Sequence, residues 1–179
     1  MAWQTRATRT VYENRWIHVR EDDVVGPHGE GIYGAVRMQH PAVFVVAIDD
    51  DERVCLIGLD RYTTGPSLEV PAGGTDGEEP LAAAQREFRE ETGFAADSWE
   101  HLGTMNALNG IAEAPEHVFL ARGIRPAADA AASQNEEGID EVRWVPFGEA
   151  LKMISRGEIT DGETIAAVAY AAIRLGRLA

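Results

Sequence analysis

Glu87, Glu90 and Glu91 stand three and four positions apart in the run Arg86-Glu87-Phe88-Arg89-Glu90-Glu91-Thr92-Gly93. In a helix, residues at those spacings are neighbours, about 5 to 6 Å apart at Cβ. Like charges that close cost an isolated helix about 0.2–0.5 kcal/mol per pair, so crowding with no structural return suggests a bound divalent cation. Oxygen-only ligands point to Mg²⁺ or Mn²⁺, and a cation held that way suits the handling of phosphates. The bland alternative is a solvated acidic helix face, helped by Arg86 pairing with Glu90.

The flanking residues supply the helix and its limits. Pro80 suits a first helical turn, Glu78 and Glu79 suit the positive end of the helix dipole, and Gly93 terminates the helix. Leu81, Ala84 and Phe88 form an apolar stripe for docking on a sheet, with the glutamates to one side of it. Before the helix lies a glycine-rich loop, Gly73 to Gly77, which lacks the Gly-Lys-Ser/Thr ending of a P-loop.

The rest of the chain reads as strands with two more helices. Two strands surround the turn Gly26-Pro27-His28-Gly29, one within Val11 to Val25 and one over Gly31 to Met38. Pro41 to Ile48 is a continuous β-branched and aromatic run, hence a buried strand. Asp49-Asp50-Asp51 is a hairpin turn, since the loop glycine and terminal glutamate of an EF-hand are missing. Strands follow over Arg53 to Leu59, Ser67 to Val70, Glu100 to Leu108, Pro115 to Ala121 and Glu141 to Val145. Ala127 to Gly138 reads as a mobile loop. Pro146 starts a helix to about Arg156, with Leu151, Met153 and Ile154 available for the core, and the last helix covers roughly Thr164 to Leu175. Mixed strands and helices in this order predict an α/β sandwich rather than a doubly wound sheet.

Composition narrows the classes of function. The 179 residues fit one domain, with room for a short accessory segment. A formal net charge of −14 disfavours nucleic acid or an anionic membrane as partner, because both reward clustered Lys and Arg. The one cysteine, Cys55, excludes an intrachain disulfide and reads as a buried core thiol, in keeping with a reducing cytoplasm. The five histidines are scattered, which argues against a histidine zinc site. No secretory signal is apparent, and the apolar runs fall short of the roughly 20 residues that span a bilayer. The expected setting is cytoplasmic.

The segment from Pro71 to Phe94 resembles the Nudix box: Gly, five residues, Glu, seven residues, Arg-Glu, an aliphatic or similar residue, any residue, Glu-Glu, any residue, Gly. Glu78, seven residues, and then Arg86 to Gly93 fit its later part in full. The first part departs, because Ala72 stands where the first glycine belongs and Gly73 is one residue too close. Loss of one loop residue, keeping Pro71-Ala72-Gly73 as the local motif, accounts for this better than alanine at a turn position that prefers glycine. Further similarity covers Tyr12 to Trp16, Gly31 to Tyr33, Pro41 to Arg61, Leu68 to Gly73 and Ile159 to Asp161. Together these resemble the ADP-ribose pyrophosphatase branch of the Nudix superfamily.

That resemblance implies a Nudix-type α/β/α sandwich with a mixed sheet plus N-terminal antiparallel strands. It divides the chain into an N-terminal β-strand segment, residues 1–40, that helps form a homodimer, and a hydrolase domain, residues 41–179. It implies Mg²⁺-dependent hydrolysis of a nucleoside diphosphate sugar, ADP-ribose to AMP and ribose 5-phosphate first. The alternatives are another diphosphate, such as a GDP- or UDP-sugar or an oxidised nucleoside triphosphate, or a nucleotide-sensing domain without turnover. By position, Glu87, Glu90, Glu91 and the Ala72 backbone oxygen would ligate the metal, and Arg86 would orient the glutamates. A general base would come from Glu137 or Glu136 in the loop after the box. Arg61 and Arg37 could clamp a phosphate, and Glu69 belongs to the substrate-binding set. Trp16 is either a stacking platform for the base or an ordinary sheet residue. Gly58-Leu59-Asp60-Arg61 replaces a more usual Arg-Gln-Tyr-Arg, which loses one potential phosphate contact.

Overall fold

The computed structural model describes residues 2–127 and 138–177. The element order is β1 (Gln4–Glu13), β2 (Ile17–Gly26), β3 (Gly29–Met38), β4 (Ala42–Ala47), β5 (Arg53–Arg61), β6 (Gly65–Glu69) and β7 (Ala72–Gly74). Then come α1 (Pro80–Thr92), β8 (Phe94–Asn106), β9 (Ala112–Glu113), β10 (Pro115–Pro126), β11 (Ile139–Pro146), α2 (Phe147–Ser155) and α3 (Gly162–Arg174).

Three sheets result, ordered β1-β2-β3-β9, β7-β4-β10-β8 and β11-β5-β6. The middle one is mixed, because β4 runs parallel to β10 while β7 and β8 run antiparallel to their neighbours. An isolated bridge between Ile48 and Val54 joins the end of β4 to the start of β5. Side chains alternate across a strand, and β4 uses both faces. Val43, Val45 and Ala47 meet Ala83, Ala84 and Phe88 of α1 on one side. Phe44, Val46 and Ile48 meet Ala167, Val168, Ala171 and Ala172 of α3, with Ala150 and Met153 of α2, on the other. This α/β/α sandwich is the expected fold class, and burial of both faces explains the unbroken apolar run. Cys55 is buried against α1's side of the core.

Several local expectations change. The N-terminal region holds three strands: the chain breaks after Glu13, where the Asn14 Oδ1 accepts from the backbone N–H of Trp16 and Ile17, and β1 returns along β2. Every residue of β1 is exposed, so its polar sequence carries no burial signal. The predicted glycine-rich loop begins as a strand, with Ala72, Gly73 and Gly74 pairing with Phe44, Val43 and Ala42. Leu81 is 43% exposed and Ala83 takes its place in the docking stripe. Gly93 ends α1 in the left-handed region at φ 77°, its N–H donating to Arg89 O. None of the described helices is long and apolar enough to cross a membrane.

Candidate active site

Helix α1 is fastened to β7 at two points. The Ala72 N–H donates to Glu91 Oε2 at 2.9 Å, and Arg86 Nη2 donates to the Gly74 carbonyl at 3.1 Å. Arg86 then gathers the acids, with Nη1 to Glu87 Oε1 at 2.9 Å and Glu90 Oε2 at 3.1 Å, and Nε to Glu78 Oε2 at 3.2 Å. Burial opposes the arginine's charge, but the field of Glu87 and the bonds to Glu90, Glu87 and Glu78 outweigh it and raise its pKa. Glu79 caps the helix without a side-chain bond, leaving Glu78 for Arg86. The predicted pairing with Glu90 is thus one arm of a wider fork.

The close approach of α1 to β7 also settles where glycine is needed. A Cβ on Gly73 would lie 2.2 Å from Glu87 Cδ and 2.3 and 2.6 Å from its oxygens, so Glu87 occupies the space that glycine leaves. Ala72 is not in the left-handed region, and alanine there is unstrained. Gly73 is thus the residue of this strand at which Glu87 excludes a side chain.

Ala72, Gly73 and Gly74 also line a cavity of about 590 Å³. Its other walls include Arg15 and Trp16 from the β1–β2 turn, Arg61 and Glu69 from β5 and β6, Glu116 at the start of β10, and Asp161 and Glu163 at the start of α3. The α3 end is held by the Val70 N–H donating to Thr164 Oγ1 at 3.1 Å and capped by Asp161 Oδ2, which accepts from Thr164 N–H at 2.7 Å. Arg61 and Glu69 form a two-pronged pair, Nε to Oε1 at 3.1 Å and Nη2 to Oε2 at 2.5 Å. That bond raises the Arg61 pKa against the opposing effect of burial.

Of the residues singled out from sequence, Trp16, Arg61, Glu69 and Ala72 line the cavity; Arg86, Glu87, Glu90 and Glu91 are not among its lining residues, and Arg86 and Glu91 bond to β7. Trp16 belongs to the turn, is 58% exposed and carries the Arg15 guanidinium 4.2 Å from its ring centroid, so it is not a packed sheet residue. Arg37 is exposed on β3 opposite His18 and Glu113 and is not among the cavity residues. Glu136 and Glu137 lie outside the described residues. Sequence reading missed Glu116 and Glu163, which lie on separate elements with no shared spacing. Burial first, then Glu163 and Asp161, push the Glu116 carboxyl up to about 7.

Among the described residues, no three His, Cys, Asp or Glu side chains are gathered in the geometry of a metal site. The donor chemistry nevertheless suits a hard divalent cation. Three carboxylates share one side of α1, all their donor atoms are oxygen, and the missing Cβ at Gly73 cradles one of them against β7. The carboxylates are meanwhile drawn together by Arg86.

The chain is similar to known proteins over most of its length. Residues 38–168 match the NUDIX domain model, and residues 3–36 match that of the nucleoside diphosphate sugar hydrolase N-terminal domain. The chain is 33% identical to an ADP-ribose pyrophosphatase of Mycobacterium tuberculosis, over 93% of this chain and 81% of that protein. It is 32% identical to a CMP-5'-(N-acetyl-N-hydroxy-3-aminopropyl)phosphonate hydrolase of Streptomyces rubellomurinus, over 94% and 82%. A crystal structure of an ADP compounds hydrolase superposes with a TM-score of 0.84 at 20% identity, covering 99% of this chain and 98% of that one. The chain belongs to the NUDIX domain family and is a Nudix pyrophosphohydrolase of the ADP-ribose pyrophosphatase-like branch.

Proposed function

We propose that this enzyme hydrolyses the diphosphate linkage of a nucleoside diphosphate sugar, with ADP-ribose, cleaved to AMP and ribose 5-phosphate, as the first candidate. One observation carries the reading: β7 is shared. The strand to which Glu91 and Arg86 are bonded also lines the cavity, so a diphosphate in the cavity would lie near the carboxylate helix. The relatives that act on ADP-ribose and on a CMP-linked phosphonate support a nucleotide joined to a second group.

The residues then have distinct tasks. Glu87, Glu90, Glu91 and the Ala72 carbonyl would hold Mg²⁺ or Mn²⁺, which when bound offsets diphosphate charge and lowers the pKa of a water. Arg86 fixes the glutamates, and the Ala72 N–H fixes Glu91, so little reorganisation is left for the reaction. Trp16 offers a face for the base. Arg61 is available to a phosphate only by sharing its fork with Glu69. Glu136 or Glu137 would take the proton of the attacking water.

The reading includes a homodimer formed through an N-terminal segment, residues 1–40, leaving residues 41–179 as the hydrolase domain. Exposed Val11, Tyr12 and Ile32 support it, and light scattering tests it. For the activity, wild type is incubated with Mg²⁺ and ADP-ribose, UDP-glucose, GDP-mannose or 8-oxo-dGTP, and products are separated by chromatography. AMP appearing chiefly from ADP-ribose is the expected result. Preferred cleavage of 8-oxo-dGTP overturns the nucleotide-sugar reading.

A further inference from the structure

Glu116 is an unexplained group in the cavity wall. It is 7% exposed, and among the described residues its Oε2 has no hydrogen-bond partner. A buried carboxylate oxygen without a donor is costly, and a ligand donor is the usual remedy at a functional site. Its neighbours offer none of that kind: Asp161 and Glu163 both raise its proton affinity, which places more acceptor charge beside it. Glu163 is itself raised, by its own burial and then by Asp161.

The ligand must therefore bring donors and must not bring negative charge. A terminal phosphate would meet three carboxyl groups and be repelled. Sugar hydroxyls fit, since each donates one hydrogen and adds no charge. A carboxyl pushed up to about 7 is also able to donate to a hydroxyl while accepting from another. The opposite chemistry is found at the β1–β2 turn, where Trp16 and Arg15 give the cavity an aromatic and cationic wall that suits a base and phosphate.

We propose that Glu116, with Asp161 and Glu163 beside it, reads the hydroxyl groups of the substrate's sugar and selects against nucleotides that end in a phosphate. This rests on the nucleotide-sugar reading above and names the residues that enforce it.

The test compares wild type with Glu116→Gln, which keeps shape but removes the charge, on ADP-ribose, ADP-glucose, UDP-glucose and ATP. We expect kcat/KM for all three nucleotide sugars to fall about tenfold to hundredfold, the range for one charge-assisted hydrogen bond. ATP turnover is expected to hold or rise. Calorimetric titration of ADP-ribose without added metal should show a matching loss of affinity. A uniform fall on sugars and ATP alike overturns the inference, as does an effect that follows the base between ADP-glucose and UDP-glucose. Wild type favouring ATP over every sugar overturns the underlying reading instead. If Glu116→Gln does not fold, Glu163→Gln carries the same comparison with the same outcomes.

Discussion

Gly73→Ala tests the claim that α1 and β7 are placed to hold Glu87 in position. The new Cβ would lie 2.2 Å from Glu87 Cδ, whereas ordinary carbon contacts lie at about 3.5–4.0 Å. The carboxyl group must therefore retreat by somewhat more than 1 Å. Glu87 is 8% exposed and its Oε1 is held by Arg86 Nη1, so retreat weakens a charge-assisted bond. The flexible end of the side chain moves rather than the backbone, which keeps the overpacking cost near the lower part of the usual range, about 1–2 kcal/mol. For a chain of this size that corresponds to roughly 2–8 °C in Tm. Displacing a group in the reaction site by 1 Å costs about 10²-fold in turnover.

Thermal unfolding and nucleotide-sugar cleavage, measured on the same preparation, give both numbers. The double variant Gly73→Ala with Glu87→Ala separates them: removing the obstructed side chain should restore part of the lost Tm and none of the activity. Ala72→Gly is the control, expected to cost only about 0.4–1 kcal/mol through the unfolded chain. If Gly73→Ala keeps its rate within threefold and its Tm within a degree, the role given to Gly73 is wrong.

Glu91→Gln retains an oxygen to accept from the Ala72 N–H, so the fold should hold while turnover falls about 10³-fold, or about 4 kcal/mol of barrier; retention of most of the rate would remove Glu91 from the metal set. Arg86→Lys keeps the charge but cannot reach Glu78, Glu87, Glu90 and the Gly74 carbonyl together. A loss of about 1–3 kcal/mol by urea unfolding and a rate lower by about tenfold or more are expected, and an unchanged urea midpoint would refute the hub. Stability should also depend on pH through Glu116, which faces Asp161 and Glu163 from α3. Its folded pKa, about 7, lies above the ordinary 4.5, so its contribution is full below 4.5 and is lost as pH rises through 7. Allowing for screening by water in the open cavity, the wild type should lose on the order of 1 kcal/mol relative to Glu116→Gln between pH 5 and 8; parallel pH profiles of the two would contradict it.

What could be read from sequence was what is encoded locally. Helix α1 carries its own proline start, glycine stop and apolar stripe, and β4 carries a run that only a two-sided burial explains. Strand β1 was missed because its exposed Thr and Arg residues have no apolar face, and only its register with β2 defines it. Strand β7 was missed because Ala-Gly-Gly has almost no side chains to show a period; its conformation comes from β4. Leu81 was misplaced because the face that docks is the one carrying Ala83, Ala84 and Phe88, and Leu81, two positions before Ala83, points nearly the opposite way from it. Glu116, Asp161 and Glu163 meet only when α3 folds against the middle sheet, of which β10 is a strand, and nothing in their separate surroundings announces that.

The loop before α1 shows how local and long-range effects divide the work. Between Gly74 and Glu78 the chain turns tightly, with Glu78 N–H donating to Thr75 O at 2.8 Å and with Asp76 and Gly77 at φ 49° and 88°. On the reading that the loop is one residue short, a turn that tight takes up the difference before the helix begins. Glu78 still reaches Arg86, and Arg86 still reaches Gly74, so both sides of the turn are tied to one guanidinium. The position of the carboxylates is then set by the clamps between α1 and β7 rather than by loop length. On that argument, restoring one residue between Thr75 and Gly77 should change the turn and leave the ligand geometry, and hence the rate, within a few-fold; a collapse in rate would mean that the loop itself positions the site.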